Sequence, residues 1–152
     1  WAGTGCMARQ WNGTDWVALG ASIFTGTTYF CTQVTIAVGP TGVPTAAIAL
    51  SGSSPYVEVR AWDGVTWASV AAGGFGLSSP LMRIGADGVP VFATYSSGFP
   101  SNVRVWRLTP TLVQLGAFDG DSSFDLRLFR GNTPMVLIGS LRDLRVYRQN
   151  AI

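Results

Sequence analysis

The sequence predicts an all-β protein assembled from repeated four-stranded antiparallel sheets, on three observations. A hairpin phrase occurs twice, as "WNGTDWVALG" at 11–20 and "WDGVTWASVA" at 62–71. A turn-and-strand phrase occurs three times, as "TGVPTAAIAL", "DGVPVFATYS" and "GNTPMVLIGS", with Pro44, Pro90 and Pro134 each two residues after Gly42, Gly88 and Asn132. No stretch keeps a helical period over ten residues. Instead, Gly, Ser, Pro and Asp clusters punctuate short apolar alternations.

Each unit opens on a short strand pattern: "CMARQW" from Cys6, "VEVRAW" from Val57, "NVRVWRL" around Val103 and "LRVYRQ" from Leu144. Taking those four positions as equivalent gives spacings of 51, 46 and 41 residues. The single domain thus divides into units at about 6–56, 57–102 and 103–143, with the start of a next one at 144–152. In the second unit the strands read as 57–62, 66–70, 81–85 and 90–95.

The first two strands of a unit meet at Asn12-Gly13 or Asp63-Gly64, a preferred pair for a two-residue hairpin turn. That turn would set Trp62 opposite Val65, Ala61 opposite Thr66 and Arg60 opposite Trp67, with Arg9 opposite Trp16 in the first unit. An arginine across from a tryptophan can lay its guanidinium on the indole, worth about 0.5 to 1 kcal/mol when exposed. Alternation puts bulky residues on both faces, as expected of a sheet held between two neighbours.

Four-stranded antiparallel units of this length, stacked face to face, are the blades of a β-propeller. The pattern W-[ND]-G-x-x-W-x-x-[LV], followed by G-x-P and a strand, resembles blades of the kelch-like, Asp-box and tachylectin-like propellers of secreted and surface proteins. The resemblance covers about Cys6 to Gln149 and is specific to none of these families. "AAGGFG" at 71–76 holds a kelch-type Gly pair out of place, and "AWDGVTW" lacks the Asp-box spacer between Asp63 and Gly64. In the third unit, "RLTPTLVQLG" puts Leu108 and Leu112 at the tryptophan positions.

Three blades and one further strand do not close a ring, since propellers have about four to eight. The chain opens "WAGTGC", without an initiator Met or a leader, and reads as a processed product or a piece of a longer one. An open arc leaves apolar outer faces bare, so the expected partners are the remaining blades of a longer chain or other subunits completing the propeller.

The chemistry is narrow. There is no His and no Lys, and Glu58 is the only glutamate. General acid–base work would fall to Asp, Tyr or Arg, and no enzyme is expected. The ten basic residues are scattered arginines in a chain of net charge +2, which argues against a nucleic-acid stripe. No apolar run reaches the roughly 18 residues of a membrane span.

"FDGDSSFD" places Asp119, Asp121, Ser123 and Asp125 at alternate positions, a spacing that can wrap Ca²⁺ or serve only a polar turn. Cys6 and Cys31 are expected either to pair as a disulfide, in keeping with an extracellular or cell-surface protein, or to stay as buried thiols. Asn12-Gly13-Thr14 is a glycosylation sequon at a hairpin turn. Trp11, Trp16, Trp62 and Trp67, with Arg9 and Arg60, are candidate glycan contacts, or blade packing because they recur. The leading expectation is a non-catalytic extracellular module for structure or protein interaction. A carbohydrate-binding lectin and a calcium-dependent adhesion module are the alternatives.

Overall fold

The computed structural model describes residues 5–73, 78–97, 100–120, 122–129, 132–139 and 144–148. Among them every regular element is a strand: β1 (Arg9–Trp11), β2 (Trp16–Ala18), β3 (Phe30–Val38), β4 (Pro44–Ser51), β5 (Tyr56–Trp62), β6 (Trp67–Gly73), β7 (Ser78–Ile84), β8 (Pro90–Ser96), β9 (Asn102–Thr109), β10 (Thr111–Asp119), β11 (Ser123–Phe129), β12 (Thr133–Gly139) and β13 (Leu144–Arg148). The strands expected in the second unit fall within a few residues of β5 to β8.

They form four antiparallel sheets in chain order: β1-β2, then β3-β4-β5-β6, then β7-β8-β9-β10, then β11-β12-β13. The grouping corrects the sequence reading. The four strands of the expected second blade are divided, because β5 and β6 complete the sheet begun by β3 and β4, while β7 and β8 begin the next. The strand from Leu144 is likewise the third member of a sheet, not an isolated start. Sheets are phased half a unit from the sequence repeat.

The recurring Gly/Asn-x-Pro phrase has one backbone cause. Gly42, Gly88 and Asn132 all adopt left-handed φ, at 77°, 76° and 61°. Glycine and asparagine tolerate that region best. The chain then turns into β4, β8 and β12, and proline at the strand entrance loses no ladder bond. The Asn132 side chain also reaches sideways, accepting the Ala86 N–H at 2.9 Å from the turn of the third sheet.

Three apolar cores follow one another along the chain, the first between the segments flanking β1 and β2 and the second sheet, the other two each between successive sheets. Cys6, Ala8, Ile23 and Phe24 of the first segment meet Ala46, Ile48, Leu50 and Trp67 of the second sheet. Ala47, Val57 and Val59 meet Met82, Phe92 and Trp106. Val91, Ala93, Val103 and Val105 meet Leu126, Val136 and Ile138. Strand alternation produces this directly: Ala46, Ile48 and Leu50 leave β4 on one side and Ala47 on the other. A fully buried side chain such as Phe92 contributes about 1.5 to 3 kcal/mol. The first strands of the last three sheets lie together, β7 against both β3 and β11.

The disulfide is present. Cys6 and Cys31 bridge with Cα atoms 5.9 Å apart, within the ordinary range. It joins the first segment to β3 of the next sheet, not two strands of one blade, because Cys6 runs antiparallel to Phe24 in the first core.

Candidate functional site

The two phrases that recur in sequence form closely similar hairpins. Asn12 Oδ1 accepts the Thr14 and Asp15 N–H groups at 2.9 and 2.8 Å and the Thr14 hydroxyl at 3.0 Å. Asp63 Oδ1 accepts the Val65 and Thr66 N–H groups at 2.8 and 2.6 Å, and its Oδ2 accepts the Thr66 hydroxyl at 2.9 Å. These acceptor bonds hold the Asp63 carboxyl below the usual carboxylate range, the Thr66 N–H contributing most. Only the glycines carry positive φ, 109° at Gly13 and 103° at Gly64.

Each loop therefore spans four residues, not the expected two, and the register moves with it. Trp11 faces Trp16 and Trp62 faces Trp67, while Arg9 faces Ala18 and Arg60 faces Ser69. The expected arginine-on-indole pairing is replaced by another repeated contact. Arg9 Nη1 donates to the Trp16 carbonyl at 3.1 Å, and Arg60 Nη1 to the Trp67 carbonyl at 3.3 Å. Arg60 also pairs with buried Glu58 at 2.8 Å and lies over the Phe24 ring, 5.5 Å from its centre. Within each hairpin the two indoles are tilted, with centroids 5.8 and 5.6 Å apart.

The environments of the two hairpins differ sharply. Trp67 is 5% exposed and its indole N–H donates to the Leu19 carbonyl at 2.9 Å. Trp62 closes on Gly20, where an added Cβ would come within 2.6 Å of its ring. Trp16 is 61% exposed and Trp11 about half exposed. Position in the stack, not sequence, separates core tryptophan from surface tryptophan. Asn12 is exposed, and with Oδ1 engaged its Nδ2 has no protein partner among the described residues.

Of the residues proposed for a cation, Asp121 lies outside the described residues. Asp119 ends β10 and Ser123 begins β11. Asp125 already accepts Arg127 at 2.8 Å and the Leu126 N–H at 2.9 Å, with Arg83 of the preceding sheet at 3.6 Å. Among the described residues no three His, Cys, Asp or Glu side chains converge on a common point.

Two surfaces went unread in the sequence. An open groove of about 350 Å³ lies where β3, β7 and β11 begin, lined by Gln33, Val34, Ser79, Pro80, Leu81, Ser122 and Phe124. None of these residues is charged. Ser79 holds a φ of 53°, rare outside glycine, with its N–H donating to Gln33 Oε1. The second is a stripe of Val34, Ile36 and Val38 along β3, all exposed. Its alternation is visible in "VTIAV", but that its apolar side stays uncovered is not.

No protein-family model, curated protein or solved structure matches the chain.

Proposed function

We propose that the chain is a β-propeller segment of a secreted or cell-surface protein, acting without catalysis as a structural and protein-interaction module. The observation that carries this reading is that the cores of the second, third and fourth sheets are shared between successive sheets, with the segments flanking β1 and β2 packed on the second sheet in the same way. A sheet so built packs a neighbour on each face, and among the described residues the terminal sheets have only one. Trp11 and Trp16 at one end, and Leu137, Leu144 and Val146 at the other, are exposed for that reason. Apolar faces of this kind mark sites of association. Meander sheets in chain order, with β7 set between β3 and β11, support the propeller assignment. The Cys6–Cys31 bridge fits an oxidising compartment.

Carbohydrate binding is the second reading, favoured by the exposed Trp11–Trp16 pair beside Arg9 and by the uncharged groove. Titration of common sugars against tryptophan fluorescence separates the two. The interaction module gives no saturable change, while an apolar dye such as ANS binds. Saturable quenching by a sugar class overturns the first reading in favour of the second.

A further inference from the structure

The hairpin loop after β1 fixes how Asn12 presents its carboxamide. The Thr14 and Asp15 N–H groups can be met only by an acceptor, so Oδ1 is the atom turned into the loop, at 2.9 and 2.8 Å. The carboxamide is planar, so Nδ2 is directed away from those donors, and it has no protein partner among the described residues. The Thr14 hydroxyl donates to the same oxygen at 3.0 Å, which links the two side chains of the Asn12-Gly13-Thr14 triad.

The turn also has room for a bulky group. Asn12, Gly13, Thr14 and Asp15 are all exposed. That exposure belongs to the turn's place in a sheet, whatever stands in front of the first one. Residues 63–66 form the equivalent turn and are likewise exposed, Val65 at 77%, although the first segment packs against their sheet and Trp67 beside them is buried. A Cβ added at Gly13 or at Gly64 would meet nothing within 4 Å. In the second sheet this turn joins β5 to β6, and β6 lies at the opposite edge from β3. The turn is therefore on the outer rim, away from where β3, β7 and β11 lie together.

We propose that Asn12 is an N-glycosylation site, taking an oligosaccharide from a lipid-pyrophosphate donor. Asn12 Nδ2 forms the bond to the anomeric carbon of the first sugar. The bond from that carbon to the pyrophosphate oxygen breaks, the lipid pyrophosphate leaves, and the displaced Nδ2 proton passes to a base of the transferase. The acceptor triad needs a hydroxyl two residues after the asparagine, and Thr14 supplies it. Asn102, Asn132 and Asn150 have Arg104, Pro134 and Ile152 at that place. The Cys6–Cys31 bridge is the independent support, because the compartment in which disulfides form is also the one in which this transfer takes place. The inference rests on the secreted or cell-surface reading above and narrows it. A glycan on this rim is bulky and solubilising, so association is left to the sheet faces.

Expression of the full chain behind a cleavable secretory leader in a eukaryotic cell line tests this, with medium and total extract compared by gel mobility before and after peptide N-glycosidase. One enzyme-sensitive step is expected, lost in Asn12→Gln and in Thr14→Ala and kept in Thr14→Ser. Asp63→Asn combined with Val65→Thr installs the same triad in the equivalent turn and should add a second step. A chain without an enzyme-sensitive step, or with one that survives Asn12→Gln, overturns the proposal. So does failure of the double variant to gain its step, because room at the turn is the premise. Non-reducing gels keep the two readings apart. An unglycosylated chain that reaches the medium with Cys6–Cys31 closed removes the glycan and leaves the secreted reading. A glycosylated chain held in the cell with both thiols free keeps the glycan and counts against that reading.

Discussion

The Trp67 indole N–H donates to the Leu19 carbonyl oxygen at 2.9 Å across 48 residues of chain, fastening the hairpin of the second sheet to the end of the first. Among the described residues the same hairpin in the first sheet has no such partner, and Trp16 stands in solvent. One sequence phrase therefore does two physical jobs according to what lies in front of it.

Trp67→Phe keeps most of the buried ring and removes the donor, leaving a part-buried carbonyl unsatisfied. It should cost about 1 to 3 kcal/mol. Trp16→Phe should stay within about 0.5 kcal/mol. Urea unfolding of both variants checks the pair, and equal effects would contradict the docked arrangement of Trp67.

The turns were legible in the sequence because their causes are local. Asn12 and Asp63 act through side-chain bonds within a few residues, and Gly42, Gly88 and Asn132 set the turns by their own positive φ, so these positions could be read from the chain. The register was misread for a local reason too, since side-chain acceptance at Asn12 and Asp63 stretches the loop from two residues to four. The phase of the sheets was not legible. Four residues separate β4 from β5 and four separate β6 from β7, yet the first gap closes a hairpin and the second passes to the next sheet. Which one reverses is decided by burial against a neighbouring sheet, and alternation alone carries no record of that.

Reduction of Cys6–Cys31 releases a constraint on a loop whose ends lie 25 positions apart in the sequence. The chain-entropy relation puts this at about 3 to 4 kcal/mol. Because the bridge ties the first segment to β3, its loss should first free that segment. Thermal unfolding with and without reductant, with hydrogen exchange over residues 5–24, checks it. An unchanged midpoint would contradict a stabilising role.

Asp63 fixes the sign of an acid dependence. Its carboxyl is held below the ordinary value of 3.8 by the bonds it accepts in the loop, so the folded state binds its proton less readily than the unfolded chain. The contribution is complete above the unfolded value and is lost as pH falls through the folded one. Asp63→Asn retains an oxygen acceptor, and Asn12 shows that asparagine serves this loop. Urea midpoints between about pH 2 and 6 should fall less steeply for the variant than for the parent. Parallel curves would show that Asp63 is not the group responsible.

Two glycines with the same φ separate backbone strain from crowding. Gly42 and Gly20 have φ of 77° and 76°. A Cβ at Gly42 meets open space, whereas at Gly20 it meets the Trp62 ring. Gly42→Ala should cost about 1 to 2 kcal/mol, the penalty of the left-handed region alone. Gly20→Ala should exceed it by about 1 to 3 kcal/mol, the usual charge for forcing packed groups apart. Equal losses would mean that Trp62 does not rest on Gly20.

Equivalent positions with unequal neighbours give the most direct measure of the stack. Met82 is enclosed between the second and third sheets, so Met82→Ala opens a cavity and should cost about 2 to 5 kcal/mol. Val38 pairs with Pro44 as Ile84 does with Pro90, so Ile36 sits at the same register point, with half its surface in water. Less of its side chain leaves water on folding and no closed cavity forms, so Ile36→Ala should cost well below the Met82 value, about 1 kcal/mol or less. Chemical denaturation of the two variants supplies the comparison, and matched losses would show that the front of β3 is already covered.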